Sequence, residues 1–228
     1  MNSFANPAHE AAAAELVRKQ MPDAYLSVSS QLLPTVRFYN RISTTVLNAY
    51  VGPILENYLS SLTGRLADAG FDGVLHVMQS NGGVAPPEVA RERPATTLLS
   101  GPAGGPGAAV ACSRPLDYNS AIVVDMGGTS FDASLVQDGE AAMYNESDIE
   151  RLRIALPMLA ITTIGAGGGS IGWIDDGGLL RMGPESAGAL PGPACSGRGG
   201  TRPACTDANV VLGYLDPAFF AGGKMELD

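Results

Sequence analysis

Histidine, cysteine and basic side chains are all scarce in this 228-residue chain, and each shortage removes a class of function. Cys112, Cys195 and Cys205 are odd in number and contain no Cys-x-x-Cys pair, which argues against a disulfide framework and against a structural zinc site. Reduced thiols are expected. The histidines are His9 and His76, and neither lies near Cys195 in sequence. His76 alternates with apolar neighbours, so Cys195 is not read as half of a Cys–His nucleophile despite its place between Pro-Gly-rich loops. Lys and Arg total 14 against 23 Asp and Glu, a formal net charge of −9 with no basic cluster, so neither nucleic acid nor an anionic membrane is an expected partner. No apolar run approaches the roughly 20 residues of a spanning helix, and Met1–Pro7 lacks both a basic and an apolar leader region. The expectation is a soluble, cytoplasmic chain of one or two domains, able to bury a core because 45% of its residues are hydrophobic.

Glycine is the residue in surplus. The 29 glycines cluster in 101–107, 165–172 and 177–200, after apolar runs, as expected of loops whose backbone approaches a ligand. There is no repeat of fixed period.

The most informative stretch is Ala121-Ile-Val-Val-Asp-Met-Gly-Gly-Thr-Ser-Phe-Asp-Ala-Ser-Leu-Val136. Ile122, Val123 and Val124 form a β-branched run, and Phe131, Ala133, Leu135 and Val136 suit a returning, half-buried strand. Between them, Gly127 and Gly128 let N–H groups converge on an anion, and Thr129 and Ser130 add hydroxyl donors. Asp125 at the strand end would repel bare phosphate, so its place makes sense where Mg²⁺ stands between carboxylate and phosphates. The pattern therefore points to a metal–nucleotide, ATP with Mg²⁺. An ordinary Gly-Gly hairpin with acids capping backbone donors is the plain alternative.

Elsewhere, His9–Gln20 reads as a helix, Tyr25–Leu33 as a strand or extended segment, and Ser43–Ala69 as the longest helix. Val46, Leu47, Tyr50, Ile54, Leu55, Tyr58, Leu59, Leu62 and Leu66 recur there at three and four, with a kink or new start at Pro53 and a cap at Gly70. Val74–Met78 reads as a buried strand delivering Gln79–Gly83, and Gly101–Ser113 as a Gly-rich helix. Arg151–Ile164 reads as strand and turn. A helix starting near Ser170 would offer free N–H groups to an anion, although Gly165–Ser170 also fits a tight strand-to-helix crossover. Asn81 suits an Asx-turn as well as a ligand contact. Thr206 or Asp207 suits a helix cap before Val210–Leu215. Arg181, Arg198 and Arg202 suit either an anion clamp or surface ion pairs. Trp173 is expected to pack under a loop.

Asp125-Met-Gly-Gly-Thr-Ser-Phe-Asp132 resembles the phosphate motif of the actin, sugar-kinase and heat-shock ATPase superfamily. Met78-Gln-Ser-Asn-Gly-Gly-Val84, Leu99-Ser-Gly-Pro-Ala-Gly-Gly105, Thr163-Ile-Gly-Ala-Gly-Gly-Gly-Ser-Ile171, Pro184-Glu-Ser-Ala-Gly-Ala189, Pro191-Gly-Pro-Ala-Cys195, Gly197-Arg-Gly-Gly-Thr201 and Thr206-Asp-Ala-Asn209 are similar to segments of the hydantoinase A/5-oxoprolinase family. The resemblance runs from about Asn6 to the last residues. It implies an α/β fold, an actin-like (ribonuclease H-like) ATPase lobe whose mixed sheet is flanked by helices. It further implies ATP-dependent opening of a cyclic amide such as 5-oxoproline or a hydantoin, through phosphorylation of an unreactive oxygen. The acetone and acetophenone carboxylases are the rival activity, and a non-catalytic nucleotide-sensing or scaffolding subunit is the second class.

Carried onto this chain, the resemblance implies catalytic roles for Asp125, Asp132 and Asp207, with Asp125 also the metal ligand. It implies nucleotide contacts at Gly127, Gly128, Thr129, Ser130, Gly165, Gly167, Gly168, Gly169 and Ser170, and substrate contacts at Asn81, Gly82, Gly83 and Asn209. Implied partners are a preceding ATPase lobe with a second Asp-x-Gly-Gly-Thr motif, which no segment here supplies, and a hydantoinase B-type subunit. The whole of 1–228 is then part of one hydantoinase/oxoprolinase domain, with a subdivision at 1–113 and 114–228, and weak or no catalysis is expected of it alone. Two departures bear on substrate: Ala160 stands where relatives carry an acid, and Ser196 where an aromatic follows the cysteine.

Overall fold

The structure is a computed structural model and describes residues 2–149 and 151–228. Among the described residues the helices are α1 (Ala8–Gln20), α2 (Ser29–Leu32), α3 (Phe38–Asp68), α4 (Pro87–Glu92), α5 (Gly104–Ser113) and α6 (Cys205–Val211). The strands are β1 (Val77–Met78), β2 (Val84–Ala85), β3 (Ala121–Met126), β4 (Phe131–Gln137), β5 (Glu140–Ala141), β6 (Met143–Tyr144), β7 (Ser147–Ile149), β8 (Leu152–Ile154), β9 (Met158–Leu159), β10 (Ile161–Ile164), β11 (Ser170–Ile174) and β12 (Leu180–Ser186). The fold is mixed α/β. It divides into two compact units, each discontinuous in sequence: the first holds residues up to Ala121 with Val136–Ala160, the second Ile122–Leu135 with Ile161–Asp228.

The first unit is organised on α3. Its inner face buries Ser43, Thr44, Asn48, Gly52 and Leu59, with Leu47, Leu55, Leu62 and Leu66 half-buried at helical spacing. Val46, Tyr50, Ile54 and Tyr58 of the expected apolar stripe lie instead on the exposed side. Thr44 and Asn48 take inner positions because their hydrogen bonds are satisfied there, whereas Ser43 Oγ is buried without a hydrogen-bond partner among the described residues. Asn48 accepts from the Ala95 N–H (3.0 Å) and donates to Ser27 Oγ (2.9 Å), and Thr44 Oγ1 accepts from the Ala155 N–H (3.0 Å). Ala95, Ile154, Leu156 and Met158 form the adjoining apolar core.

Helix α3 runs through Pro53, so the expected new start is not taken; Pro53 is exposed, where water can satisfy the carbonyl its ring leaves unpaired. The helix ends in a Schellman motif. Gly70, at φ 77°, donates to the Ala67 carbonyl and Phe71 to that of Leu66, both at 2.9 Å.

Tyr25–Leu33 is not a strand. Its second half forms the single turn α2, because the Glu10 carboxylate accepts from the Ser29 N–H and Oγ and from the Ser30 N–H. Val74–Met78 is also not a buried strand: only Val77 and Met78 pair, with Ala85 and Val84, while Val74 and His76 are exposed. A two-residue ladder has no further strand to cover it.

In the second unit, β4 lies between β3 and β10, with Phe131 opposite Ile164 and Ser134 opposite Ile161 in an antiparallel ladder. Strands β11 and β12 form a hairpin, Trp173 facing Arg181 and Ile174 facing Leu180. The expected helix at Ser170 is therefore a strand. Ser170 Oγ accepts from the Gly167 N–H (2.8 Å), and Ile171, Trp173 and Ile174 are residues that favour a pleated ladder over a helix. Trp173 is half-exposed and donates from Nε1 to the Gly183 carbonyl (2.7 Å).

Candidate functional site

Strand β3 carries its β-branched run to Asp125, whose carboxylate is exposed, and the chain then turns through Gly127–Ser130 into β4. The turn is closed by the Gly127 N–H donating to the Ser130 carbonyl (3.1 Å). A second glycine loop, 165–169, is laced onto this one by main chain alone. Gly168 donates to the Gly127 carbonyl (2.8 Å) and Gly169 to that of Gly128 (2.6 Å). The approach is so close that a Cβ on Gly167 would lie 2.6 Å from the Ser130 nitrogen and 2.7 Å from Thr129 main-chain atoms. Only glycine fits there.

This lacing assigns the donors. The N–H groups of Gly167, Gly168 and Gly169 are committed to protein oxygens, as are the Thr206 N–H and hydroxyl, which both donate to the Gly168 carbonyl at 2.8 Å. Among the described residues, the N–H groups of Gly128, Thr129 and Ser130 meet no protein acceptor. A Cβ built on Gly127 or Gly128 meets nothing within 4 Å, so the outer side of this turn is open. The second loop buttresses the first, and the strand that follows it provides no helix N-terminus.

Asp132 accepts from Ser130 Oγ (3.1 Å) and from the Thr163 hydroxyl, tying the turn to β10. Asp207, at the third position of α6, accepts from three backbone N–H groups: Ala204 (2.6 Å), Cys195 (2.7 Å) and Ala194 (3.3 Å). Burial alone would raise its carboxyl, but these donors outweigh it and hold Asp207 below the usual carboxylate range. The bond to Ala204 caps α6, which begins at Cys205 and ends at Val211 rather than covering the expected Val210–Leu215; those to Ala194 and Cys195 also clamp the Pro191–Cys195 loop. Cys195 is buried and its thiol is pushed up to about 11, by burial first and then by Asp207, so it is a protonated, inert thiol at neutral pH.

Gln79–Gly83 belongs to the first unit, where it forms the β1–β2 turn. Asn81 accepts from the Gly83 N–H (2.9 Å) as an Asx-turn, and Gly82, at φ 81°, packs beneath Leu159. Asn209 is in the second unit with the glycine loops, so the four expected substrate contacts fall in two units.

A family model described as hydantoinase/oxoprolinase matches residues 41–228, most of the chain. The chain belongs to the hydantoinase/oxoprolinase family. It is 43% identical over 226 residues to caprolactamase subunit alpha of Pseudomonas jessenii, covering 99% of this chain and 32% of that one. Against 5-oxoprolinase of Saccharomyces cerevisiae the identity is 37%, over 96% of this chain and 17% of the relative. Among solved structures, nucleotide-free acetone carboxylase matches with a TM-score of 0.84 at 31% identity, covering all of this chain and 32% of that one. The chain thus spans about a third or less of these relatives.

The hydantoinase/oxoprolinase motifs also frame a cavity of about 420 Å³ in the second unit, within the range of small-ligand sites. Gly127, Gly128, Gly168, Gly169 and Asn209 line it together with Cys195, Arg198, Thr206, Phe220, Met225 and Leu227. The last three come from a C-terminal segment returned to the loops by the Asp228 N–H donating to the Cys195 carbonyl (2.8 Å). No local motif marks Phe220, Met225 or Leu227. Arg198 was legible as one of three candidate arginines and as part of the Gly197–Thr201 segment. No group of three or more His, Cys, Asp or Glu suited to a metal occurs among the described residues. Mg²⁺ coordination that combines one carboxylate with substrate phosphates and water needs no such group, and Asp125 beside the open turn fits it. No helix among the described residues is long and apolar enough to cross a membrane.

Proposed function

We propose that the second unit holds the phosphate end of Mg–ATP, and that the chain is part of an ATP-dependent enzyme that opens a cyclic amide of the 5-oxoproline, hydantoin or lactam type. The observation that carries the reading is the open Gly127–Ser130 turn beside the exposed Asp125, backed by a main-chain-laced second loop. Gly128, Thr129 and Ser130 supply N–H donors to phosphate oxygens, and Asp125 holds the magnesium or its waters. Asp132 and Asp207 keep this geometry through their hydrogen bonds, as the residues nearest to a catalytic role. The nucleotide would supply a phosphoryl group to the amide oxygen, which makes the amide carbon electrophilic toward water; the ring C–N bond then breaks with the amine as leaving group, and hydrolysis of the resulting acyl phosphate gives carboxylate and phosphate. The residues here orient the nucleotide and neutralise its charge. Asn209 is the proposed substrate contact within the second unit.

Caprolactamase and 5-oxoprolinase are named for cyclic amides, which supports the amide over the ketone. The likeness to acetone carboxylase keeps ATP-dependent ketone carboxylation as the second reading. The relative at 43% identity is a subunit, which supports a partner, proposed to be of the hydantoinase B type, and the additional polypeptide of the relatives supports a further ATPase lobe. The chain alone is accordingly expected to turn over ATP well below about 1 s⁻¹.

The test is calorimetric titration with Mg–ATP of the chain and of Asp125→Ala, followed by ATP turnover with 5-oxoproline, a hydantoin or acetone once partner polypeptide is supplied. Binding lost in Asp125→Ala and turnover that depends on a cyclic amide are expected. Equal Mg–ATP binding by both proteins would remove the phosphate-turn assignment, and acetone-dependent turnover would favour the second reading.

A further inference from the structure

Three arginines stand in the loops of the second unit, and the structure separates them. Arg181 pairs with Asp175, Nε to Oδ2 at 2.7 Å, and Arg202 makes a bidentate pair with Glu185. These are the surface ion pairs that the sequence left open as one reading. Arg198 differs. Among the described residues no carboxylate lies within ion-pair distance of it, and its recorded polar contact is from Nη2 to Met225 Sδ at 3.7 Å, which is no match for a guanidinium.

Its place is also different. Arg198 sits between Gly197 (φ 64°) and Gly199 (φ 99°), left-handed positions that turn the chain sharply on either side, and it lines the cavity shared with Gly127 and Gly128. Asn209 lines the same cavity, and its side-chain amide makes no hydrogen bond to the described residues. The surrounding wall is apolar, with Phe220, Met225 and Leu227. An apolar cavity with a few convergent polar groups left without protein partners is the form of a ligand site. A fork of donors with no carboxylate of its own matches an oxyanion, bidentate in geometry.

Resting on the nucleotide-phosphate reading of the adjacent turn, we propose that Arg198 is the anion anchor of this cavity, gripping a phosphate or carboxylate while Asn209 pairs with a neighbouring polar group of the same ligand. Two sources can supply that oxyanion: the nucleotide, or the carboxylate of a cyclic-amide substrate. The apolar wall then takes the uncharged body of the ligand.

The experiment titrates the chain and the variants Arg198→Gln, Arg198→Lys and Asp125→Ala with magnesium pyrophosphate, with 5-oxoproline and with Mg–ATP, by calorimetry, with circular dichroism to show that each is folded. The expected result is that the wild-type chain binds pyrophosphate or 5-oxoproline and that Arg198→Gln weakens it by about tenfold or more, as for a lost charge-assisted hydrogen bond. Arg198→Lys, keeping the charge without the fork, is expected to fall between. An effect on pyrophosphate alone identifies a phosphate, and an effect on 5-oxoproline alone a carboxylate. Equal binding of both anions by Arg198→Gln and wild type overturns the proposal, as does wild-type binding of neither up to about 10 mM. The Asp125→Ala arm keeps the two ideas apart: Mg–ATP binding lost in that variant, with pyrophosphate and 5-oxoproline binding both unchanged in Arg198→Gln, sinks the anchor and leaves the phosphate turn standing. Anion binding that depends on Arg198 while Asp125→Ala changes nothing does the reverse.

Discussion

Replacing Gly167 by alanine tests the main-chain lacing of the two glycine loops most directly. The added Cβ would lie 2.6 Å from the Ser130 nitrogen and 2.7 Å from the Thr129 nitrogen and carbonyl carbon, all main-chain atoms that cannot rotate away. To reach ordinary contact the loops must part by roughly 0.7 Å, a gap that forfeits a quarter to a half of close-packing attraction. The same movement stretches the bonds from Gly168 and Gly169 to the Gly127 and Gly128 carbonyls, now 2.8 and 2.6 Å. Two hydrogen bonds at about 1 kcal/mol each, with an overpacking strain of about 1–3 kcal/mol, give an expected destabilisation of about 3–5 kcal/mol. In a chain of this size that lowers Tm by about 6–20 °C. Urea unfolding followed by the fluorescence of Trp173, the sole tryptophan, reads the second unit directly. The control is Gly128→Ala, whose Cβ meets nothing within 4 Å and whose stability should stay within about 0.5 kcal/mol of wild type. A Gly167→Ala protein as stable as that control would refute the lacing.

Gly128→Ala is expected to weaken Mg–ATP binding by about tenfold or more despite that stability, since its methyl group enters the open side of the phosphate turn; unchanged titration heats would count against the turn. Asp207→Asn should cost about 1.5–3 kcal/mol at pH 7, because an amide cannot accept from Ala194, Cys195 and Ala204 as a carboxylate does. The Asp207 carboxyl is held low in the fold, so its stabilisation is present above the unfolded carboxylate range and is lost as pH falls through the lowered value. The difference from the Asn variant should therefore shrink on acidification, and a pH-independent difference would exclude the carboxylate as its cause. Cys112 is exposed and Cys195 buried with its thiol near 11, so a disulfide reagent at pH 8 should label Cys112 quickly and Cys195 only on unfolding. Stability contributed by the protonated Cys195 thiol is present below its ordinary value near 9.0 and is lost as pH rises through about 11. Gly70→Ala, forced to φ 77° in the Schellman motif, should cost about 1 kcal/mol in thermal unfolding, and a neutral effect would show that α3 ends differently.

The two strands and turn around Gly127–Ser130, the course of α3 from Ser43 onward, the cap at Gly70 and the helix over Gly104–Ser113 were legible in the sequence, because each is decided by neighbours within a few residues: β-branched runs, three-and-four spacing, a glycine at a left-handed position; the first five residues of α3, from Phe38, were not. Where periodicity misled, a long-range partner had decided. Ser170 opens a strand because β12 pairs with it, Tyr25–Leu33 curls into α2 under the Glu10 carboxylate, and Thr44 and Asn48 occupy the inner face of α3 because Ala155 and Ala95 supply their hydrogen bonds. The glycine-rich loop 165–169 was recognisable as a loop approaching something, but only the tertiary structure decided that its N–H groups meet the carbonyls of Gly127 and Gly128. The same holds for charge. Three arginines were equivalent as letters, and the fold paired two with carboxylates and set Arg198 against the cavity formed with Phe220, Met225 and Leu227. Sequence alone determined the family and the Gly127–Ser130 turn, because both are written in contiguous residues. The division of donors between protein and ligand needed the structure, because hydrogen-bond satisfaction depends on groups that the chain brings together from far apart.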